Sequence, residues 1–540
     1  MFLSGKAIAS VQRPVRRMQQ THRISSRLTM RPKASSRKCA YSSKPSNKAA
    51  DEPADKPDAL KKPAGSKRSL TFAIGGVLTL LSVAGYTFLR QPSAPSSASV
   101  GPAVPTPLES VASKREIAKQ KLDGLTYRER REEARRLGML TEEEVDAILG
   151  AKENTWSVVG QGMRLRVDAN QVSSNEPIED YMSWKALQTN TEGQVARYMF
   201  GVFDGHAGYM CAEQIAARIG PMLDSSLEII DQLSNNSAVS KTNPDNAPLQ
   251  STISRLRQEA GLDWDHTSLA LTATFINMDH ELVHGALAKY RKLQDATQME
   301  ELLGPAVSGS CGIVAVVDTE TNEVVVANTG DSRALLGVRL KDGRWKAVRL
   351  SEDQTAKNPN ESVRMSREHP NETVIVGGRV LGALMPTRAF GDCRYKWPLE
   401  AQQDLFPIMH SRGHRYATTP RNYLSPPYVT AKPVIVRHQL NANDKFVVIA
   451  SDGLYDQLSD AEVVDAVAQW YEANQEQSAT LVTQDKNAAT HLIRSALSTD
   501  RFGRRSDTVI RRLLAIPPPH SRRFRDDISV TIITLDRDQQ

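Results

Sequence analysis

Short hydrophobic runs separated by polar turns follow one another from Trp156 to the C-terminus, and this pattern predicts a mixture of strands and helices. The pattern contains no long series of parallel βαβ units and no internal repeat. Apolar runs of strand length lie at 199–203, 311–317, 323–328, 446–450 and 528–535. Two of them, 311–317 and 323–328, are spaced as a hairpin, so we expect these strands to be neighbours in one sheet.

Helices are predicted before this region. A charged stretch from about Ala112 to Leu137 has a helical pattern. A second, short helix is predicted over Leu140–Ala151, where Thr141 and Glu144 form a capping box. Its apolar face consists of Val145, Ile148 and Leu149.

Residues 70–89 form an uncharged stretch composed mostly of Leu, Val, Ala, Gly, Phe and Thr. Basic residues flank it, with Lys67 and Arg68 before and Arg90 after. About 20 apolar residues are enough to cross the hydrocarbon core of a bilayer as a helix. A buried helix of a soluble domain is the alternative, but the linker at 51–69 and the Pro/Ser-rich residues after Arg90 provide nothing to bury it against. We therefore expect one transmembrane helix that contacts membrane lipid.

The formal net charge of +7 is unevenly distributed. The first 50 residues hold 12 of the 69 Lys and Arg residues and no Asp or Glu, so the remaining 490 carry 57 basic and 62 acidic side chains. No basic stripe interleaved with aromatic residues marks a nucleic-acid groove, and we expect no nucleic-acid partner. The four cysteines are far apart, which argues against a disulfide framework or a zinc site.

Residues 1–50 have the composition of a targeting segment. They are rich in Arg and Ser, and Ile8, Val11, Val15 and Met18 fall on one helical face. This combination is typical of a mitochondrial transit segment, whereas a secretory signal needs an apolar core that this segment lacks. A basic tail without an address is the alternative interpretation.

Acidic residues stand at the ends of the predicted strands. Asp204, Asp331 and Asp452 follow strands, and Asp526 opens the last one. The pair Glu179-Asp180 lies upstream of the first of these strands. In an antiparallel sheet the end of one strand lies beside the start of the next. These carboxylates therefore have the placement needed to converge on one site, although each Asp-Gly pair taken alone is typical of an ordinary turn.

Converging carboxylates repel one another and are tolerated when a cation compensates their charge. Ligand sets made only of oxygen select hard cations such as Mg²⁺ or Mn²⁺ rather than Zn²⁺. Gly205 and Gly453, which follow two of the aspartates, permit tight turns and the approach of a backbone carbonyl to an ion. The residues thus indicate a site for hard divalent cations.

Five short motifs stand out along the chain. They are Phe-Asp-Gly-His-Ala-Gly at 203–208, Gly-Asp-Ser-Arg at 330–333, Arg-Ala-Phe-Gly-Asp at 388–392, Ala-Ser-Asp-Gly at 450–453 and Arg-Asp-Asp-Ile-Ser-Val at 525–530. These motifs occur in the same order as in the type 2C protein phosphatases, which this chain resembles over about residues 156–540.

Further segments look like the mitochondrial pyruvate dehydrogenase phosphatase branch of that family, and they extend the resemblance to about 139–540. They are 140–151, 175–180, 395–397, 426–431 and 487–494. The long segment between Trp397 and Pro426 is similar to an insertion of that branch.

The resemblance implies an α+β fold, a four-layer αββα sandwich of two antiparallel β-sheets flanked by helices. With the N-terminal segments, the expected organisation is a targeting segment at 1–50, a linker at 51–69, a transmembrane helix at 70–89, a linker and charged helix at 90–138 and a phosphatase domain at 139–540.

The resemblance also implies roles for individual residues. Asp204 would bridge two ions, with the carbonyl of Gly205 as a further ligand. Asp452 and Asp526 would bind one ion each, and Glu179 and Asp180 would act mostly through water. Asp331, together with Asp456, resembles the pair at a weaker third position.

His206 is suited to act as a general acid toward the Ser or Thr leaving group, since the family uses its histidine there. A structural hydrogen bond in the turn is the alternative role. One departure concerns Asn175, which stands where many family members carry an Arg that grips the substrate phosphate. Losing the guanidinium removes a bidentate clamp, so phosphate binding has to rely on the metals or on another cation.

The expected function is hydrolysis of phosphoserine and phosphothreonine in mitochondrial proteins, with the pyruvate dehydrogenase complex as the expected substrate. A phosphatase-like scaffold without catalysis is the rival, disfavoured because every expected ligand is present. The expected location is the mitochondrial inner membrane, crossed once. The pattern leaves open whether the domain faces the matrix or the intermembrane space.

Overall fold

The structure is a computed structural model, and it describes residues 106–160, 162–187, 195–234, 246–260, 264–293, 295–475, 485–500 and 502–537. The targeting segment expected at 1–50, the linker at 51–69 and the stretch at 70–89 lie outside the described residues.

The expected fold class is corrected on one point, the membrane-spanning helix. In the part of the chain that the structure describes, no helix is both long enough and apolar enough to cross a membrane. The longest helix there, Met210–Ser234, has 25 residues but carries five charged side chains, because it covers a sheet with one face and meets water with the other.

Helices and strands are mixed along the described chain. The helices are α1 (Pro107–Leu122), α2 (Tyr127–Ala134), α3 (Glu142–Gly150), α4 (Met210–Ser234), α5 (Ala247–Ala260), α6 (His266–His280), α7 (Ala286–Leu293), α8 (Met299–Val307), α9 (Pro359–Glu368), α10 (Leu399–Ser411), α11 (Asp452–Tyr455), α12 (Asp460–Gln475), α13 (Ala488–Ser498) and α14 (Asp507–Leu513). The strands are β1 (Asn154–Gly160), β2 (Met163–Val172), β3 (Tyr181–Ala186), β4 (Arg197–His206), β5 (Gly309–Asp318), β6 (Glu323–Thr329), β7 (Arg333–Arg339), β8 (Trp345–Arg349), β9 (Ile375–Val376), β10 (Arg379–Val380), β11 (Phe390–Gly391), β12 (Val434–Gln439), β13 (Asp444–Ala450) and β14 (Ile528–Arg537).

Two antiparallel sheets form the centre of the described region. The first has the strand order β1-β2-β14-β13-β7-β8. The second has the order β12-β6-β5-β4-β3, with β11 paired to β5. The expected hairpin is present, since β5 and β6 pair from Asp318 and Glu323 onward. A separate two-stranded ribbon is formed by β9 and β10.

The core between the sheets follows the two-residue period of the strands. In β13, Val447 and Ile449 pack in the cluster that also contains Phe200 and Ile313 of the second sheet. Their neighbour Val448 points to the other side, into a cluster with the helices. Each fully buried side chain of this kind contributes about 1.5–3 kcal/mol to folding.

Helices cover the outer faces of both sheets. Helices α4, α5 and α6 pack on the second sheet through apolar side chains such as Ile215, Ile253 and Phe275, which belong to one cluster with Val314 of β5. Helices α12 and α13 cover the first sheet, where Val467 belongs to the same cluster as residues of β13 and β14. The layers are therefore helices, sheet, sheet and helices.

The charged stretch before the sheets forms two helices instead of one. Helix α1 ends at Leu122 and α2 begins at Tyr127, with Gly124 between them at a φ of 73°. Helix α1 packs on α3, where Lys114 pairs with Glu144 at 2.6 Å. The capping box of α3 is formed as expected, with Thr141 as the N-cap.

The segment after Trp397 folds onto the helical side of the molecule. Helix α10 contributes Phe406 and Met409 to a cluster with Leu303 of α8. The Trp397 indole N–H donates to the carbonyl oxygen of Val283 at 2.9 Å, which fixes the start of this segment.

Candidate metal centre and active site

Carboxylates from both sheets meet at one end of the sandwich. Asp204 lies near the end of β4 in the second sheet, and Asp452 closely follows β13 in the first. The backbone N–H of Asp452 donates to Oδ2 of Asp204 at 3.3 Å. The ends of two strands that belong to different sheets are therefore in contact through these residues.

The other predicted acidic residues lie on the segments that adjoin this contact. Asp180 immediately precedes β3, Asp526 is separated from β14 by one residue, and Asp331 lies between β6 and β7. Burial raises the pKa of Asp204, and the charges of Asp452, Asp180, Asp526 and Asp331 raise it further. The structure thus brings these five predicted side chains within electrostatic range of one another.

Burial also raises the pKa values of the neighbouring carboxyls. The pKa values of Asp180 and Asp452 are well above the usual range, and that of Asp526 is raised to about 6. In each case burial is the main cause, since it removes water from a charge that other carboxylates already oppose. A bound cation would remove this repulsion.

The fit of a cation to this site can be judged from one buried atom. Oδ2 of Asp180 has no hydrogen-bond partner among the described residues, although the side chain is buried. Oxygen donors such as this one suit Mg²⁺ and Mn²⁺. Within the described ranges, no group of three or more His, Cys, Asp or Glu side chains approaches as closely as the ligands of a formed site. The acidic residues therefore offer oxygen ligands that suit Mg²⁺ or Mn²⁺ and lie within electrostatic range of one another, but they do not surround a common point as closely as the ligands of a formed metal site.

Gly205 is required by the close packing between β4 and the segment before β3. A Cβ at this position would lie 2.2 Å from the carbonyl oxygen of Glu179, which is a backbone atom that cannot move aside easily. The Glu179 carboxylate in turn accepts a hydrogen bond of 2.8 Å from the N–H of Gly208. These contacts hold Glu179 and Asp180 against the end of β4.

Asp527 anchors the loop that carries Glu179, a role that the sequence patterns did not reveal. Its carboxylate accepts hydrogen bonds from the N–H groups of Ser174, Asn175 and Glu179. The side-chain amide of Asn175 also donates to Asp527 at 3.0 Å and to Glu179 at 3.3 Å. Asn175 is thus part of this anchor.

His206 ends β4 and pairs with a carboxylate that no predicted role included. Its Nε2 lies 2.7 Å from Oδ2 of Asp392, which is buried and has a φ of 53°. Burial alone would lower the pKa of His206, but the charge and hydrogen bond of Asp392, with Asp331 and Glu179, raise it above the usual value. The neighbouring carboxylates therefore favour the protonated form of the imidazole. Asp392 lay in a recognised motif, and its partner could not be read from spacing.

A buried ion pair supports the strand that presents Asp392. The carboxylate of Asp279 in α6 accepts hydrogen bonds from the N–H of Gly391 at 2.9 Å and from Nζ of Lys396 at 2.6 Å. Lys396 also donates to the carbonyl oxygen of Ala389 at 2.7 Å. The position of Asp392, and through it that of His206, depends on these contacts.

Arg333, which follows Asp331 in its motif, has a structural role. Its guanidinium pairs with Asp353 at 2.5 Å and Asp460 at 2.6 Å and lies over the ring of Tyr455. Cys311 lies beside the site as well as in the core, because its thiol donates to Oδ1 of Asp331 at 3.0 Å.

Comparison with known proteins gives this architecture a family. The family model described as protein phosphatase 2C matches residues 262–501. A protein phosphatase 2C homologue of Schizosaccharomyces pombe is 35% identical over 406 residues, which cover 71% of this chain and 83% of the relative. This chain belongs to the protein phosphatase 2C family. The enzyme class expected from the motifs is confirmed: the chain is a protein serine/threonine phosphatase, and its family is metal-dependent.

Two other relatives carry names that agree with the narrower resemblance. Mitochondrial pyruvate dehydrogenase (acetyl-transferring) phosphatase 2 of Homo sapiens is 31% identical over 457 residues, covering 73% of this chain and 83% of that protein. Mitochondrial pyruvate dehydrogenase (acetyl-transferring) phosphatase 1 of Saccharomyces cerevisiae is 32% identical over 443 residues, covering 73% of each chain. The resemblance to this branch of the phosphatases is therefore confirmed.

Proposed function

We propose that this chain hydrolyses phosphoserine and phosphothreonine at a site for two Mg²⁺ or Mn²⁺ ions. The observation that carries the proposal is the electrostatically coupled group of buried carboxylates contributed by both sheets. Asp204 would hold both ions, assisted by the carbonyl of Gly205, and Asp452 and Asp526 would hold one each. Glu179 and Asp180 would act through water, and Asp331 with Asp456 would hold a weaker third ion. When bound, such ions lower the pKa of water and offset the charge of phosphoryl oxygens.

In this proposal His206 protonates the leaving group. Water adds to phosphorus as the P–O bond to the serine or threonine oxygen breaks and that oxygen takes a proton from the imidazolium, so the alcohol leaves neutral and inorganic phosphate is the other product. Asp392 supports this role, since its contact of 2.7 Å raises the pKa of His206 and orients the ring. The N–H of Gly208 and the close packing at Gly205 keep Glu179 and Asp180 beside His206.

The test compares Asp204→Asn with Asp342→Asn, a matched change at an exposed carboxylate that pairs with Arg344. Activity on a phosphopeptide in Mn²⁺ and Mn²⁺ binding by calorimetry are measured for both. We expect Asp204→Asn to lose more than about 100-fold in activity and to bind Mn²⁺ more weakly, with Asp342→Asn unchanged. Wild-type activity and Mn²⁺ binding in Asp204→Asn would show that the proposed site is wrong.

We further infer that the substrate is the pyruvate dehydrogenase complex and that the location is mitochondrial. The names of two relatives support this, as does the basic, acid-free pattern of residues 1–50. The phosphorylated complex and an unrelated phosphoprotein are incubated with the enzyme under identical conditions, and we expect faster release of phosphate from the complex. Protease protection in mitochondria and mitoplasts tests the location. Equal rates on both substrates contradict the first inference, and exclusion from mitochondria contradicts the second.

A further inference from the structure

The contacts of Asn175 raise the question of which residue binds the phosphoryl group of the substrate. The amide of Asn175 is already bound to Asp527 and Glu179, so it belongs to the scaffold of the acidic loop. A phosphoryl dianion that approaches a group of carboxylates needs positive charge, and arginine provides it with two parallel hydrogen bonds. The question is which cation of this chain could supply those bonds.

Three cations near the site, Arg525, Lys396 and Arg333, are committed to structural contacts. Arg525 is 4% exposed, and its guanidinium donates to the carbonyl oxygen of Ser173 at 2.6 Å. Lys396 is buried in its pair with Asp279. Arg333 is held between two aspartates and a tyrosine ring. If any of these side chains moved toward a substrate, it would leave a buried carboxylate or carbonyl oxygen without its hydrogen-bond donor.

Arg522 has a different environment. It lies on the 3₁₀ turn His520–Arg523, just before β14, and its Nη2 contacts Oδ2 of Asp526 at 2.8 Å. Half of its side chain (49%) is exposed. Burial raises the pKa of Glu179, and the charge of Arg522 is among those that oppose this rise, so the guanidinium is within range of a second acidic residue of the site.

We propose that Arg522 grips the phosphoryl group of the substrate in place of the arginine that is absent at position 175. One N–H group of its guanidinium remains on Asp526, which orients the side chain, and others donate to two phosphoryl oxygens. A guanidinium has five N–H donors, which is enough for both interactions. This inference rests on the proposed function, since it requires the acidic group to be the catalytic centre.

The neighbouring Arg523 provides a matched control. Its guanidinium lies over the ring of Tyr127 at 5.3 Å and lines a separate cavity of about 260 Å³. The two arginines are adjacent in sequence and on the same turn, yet Arg522 is the one paired with a residue of the acidic group. Arg523→Ala therefore removes the same charge without removing the proposed phosphate contact.

The experiment measures Arg522→Ala, Arg522→Lys and Arg523→Ala as full-length, Mg²⁺-loaded enzymes. For Arg522→Ala we expect KM for a phosphopeptide and Ki for inorganic phosphate to rise together by roughly 10- to 100-fold, with a smaller effect on kcat. Calorimetry should show the same weakening of inorganic phosphate binding. Arg522→Lys should recover part of the loss, since it keeps the charge but not the paired donors. Arg523→Ala should match the wild type.

A double variant tests directly whether Arg522 takes the place of an arginine at position 175. In the Arg522→Ala background, Asn175→Arg should restore phosphate binding, because it returns a guanidinium to the site at position 175. If Arg522 serves only to neutralise Asp526, its removal will lower the Mg²⁺ concentration needed for activity and leave KM and the phosphate Ki unchanged, which would overturn the inference. The proposed function itself would fail on a different result, an active Asp204→Asn enzyme.

Discussion

The proton on His206 is controlled by Asp392, a residue 186 positions further along the chain. The family resemblance assigned a role to His206, because the family uses its histidine as a general acid, and it assigned no role to Asp392. The reason is physical: Asp392 acts through a contact made when β11 pairs with β5, and no local spacing records that pairing. Asp527 was missed in the same way, since its partners Ser174, Asn175 and Glu179 lie about 350 residues earlier in the chain.

Asp392→Asn should narrow the pH range in which the enzyme is active. The Asp392 charge raises the pKa of His206, so the imidazole keeps its proton to higher pH; without that charge, burial lowers the pKa. We expect the alkaline limb of kcat on a phosphopeptide to move to lower pH, with a loss of up to about 100-fold at pH 8 and a smaller loss at pH 6. An aryl phosphate, whose leaving group needs no proton, serves as the control substrate. An alkaline limb in the wild-type position would contradict the role of the pair.

Metal binding should release protons. The pKa of Asp526 is raised to about 6, and burial raises those of Asp204 and Asp180 well above the usual range. Near pH 6 the metal-free carboxyls therefore hold protons, which a cation must displace, so the apparent affinity rises with pH. Titration calorimetry in two buffers of different ionisation enthalpy gives the number of protons released. Proton release that is the same for wild type and Asp526→Asn would contradict the assignment.

At the scale of elements, the positions of the catalytic strands could be predicted, and so could the end of β13 at Ala450, but not the end of β4. The apolar run at 199–203 predicted a strand followed by Asp204, whereas β4 continues to His206 because β5 pairs with it as far as Gly309. Predicting the end of a strand requires knowing its partner. The charged stretch after Ala112 gave a helical pattern but not the break at Gly124, since a single glycine in a helical pattern is compatible with either outcome.

Helix α1 is part of the packed structure, and one substitution on its buried face tests this. Val111 is 4% exposed and belongs to the cluster that contains Leu140 and Val145. Val111→Asp should lower the free energy of unfolding by about 2–4 kcal/mol, because it places a charge in an apolar contact. Ile117→Asp, on the exposed side of the same helix at 55% exposure, is the control and should have little effect. Urea denaturation measures both, and equal effects would show that α1 does not depend on this face.

At the scale of the whole molecule, an acidic residue outside the catalytic group should control stability in acid. Glu361 of α9 is buried between Arg388 and Arg364, and although burial opposes its ionisation, their hydrogen bonds lower its pKa to about 2. A lowered pKa means that the stabilisation is fully present above the unfolded value of 4.5 and is lost as the pH falls from there toward 2. Its size is about 3 kcal/mol.

Glu361→Gln should therefore be less stable than wild type at pH 7, and the difference should shrink as the pH falls below 4.5. Denaturant titrations at several pH values measure this. Glu368→Gln, which removes an exposed partner of the same Arg364, is the control. A stability difference that does not depend on pH would show that the pairing does not involve the charge of Glu361.

The layered architecture was predictable only through resemblance. The apolar run at 446–450 predicted a strand, and in the structure both faces of β13 are buried, one against the other sheet and one against helices. A strand covered on both faces reads as a continuous apolar run, and such a run does not specify what covers each face. The acidic group could be predicted because strand ends can be recognised one at a time, whereas contacts such as His206–Asp392 and Asn175–Asp527 join segments that are far apart in the sequence.

The contact between Asp204 and Asp452 joins the two sheets at one end of the sandwich, and this has a thermodynamic consequence beyond catalysis. An ion held by both residues binds only while the sheets are packed together, so binding is linked to folding by mass action. At 100 times its dissociation constant the ion adds about 2.7 kcal/mol to the free energy of unfolding. Thermal melting should therefore occur at higher temperature in Mg²⁺ than after chelation, and Asp452→Asn should abolish most of that difference. The bound ion would then also stabilise the packing of the two sheets against each other.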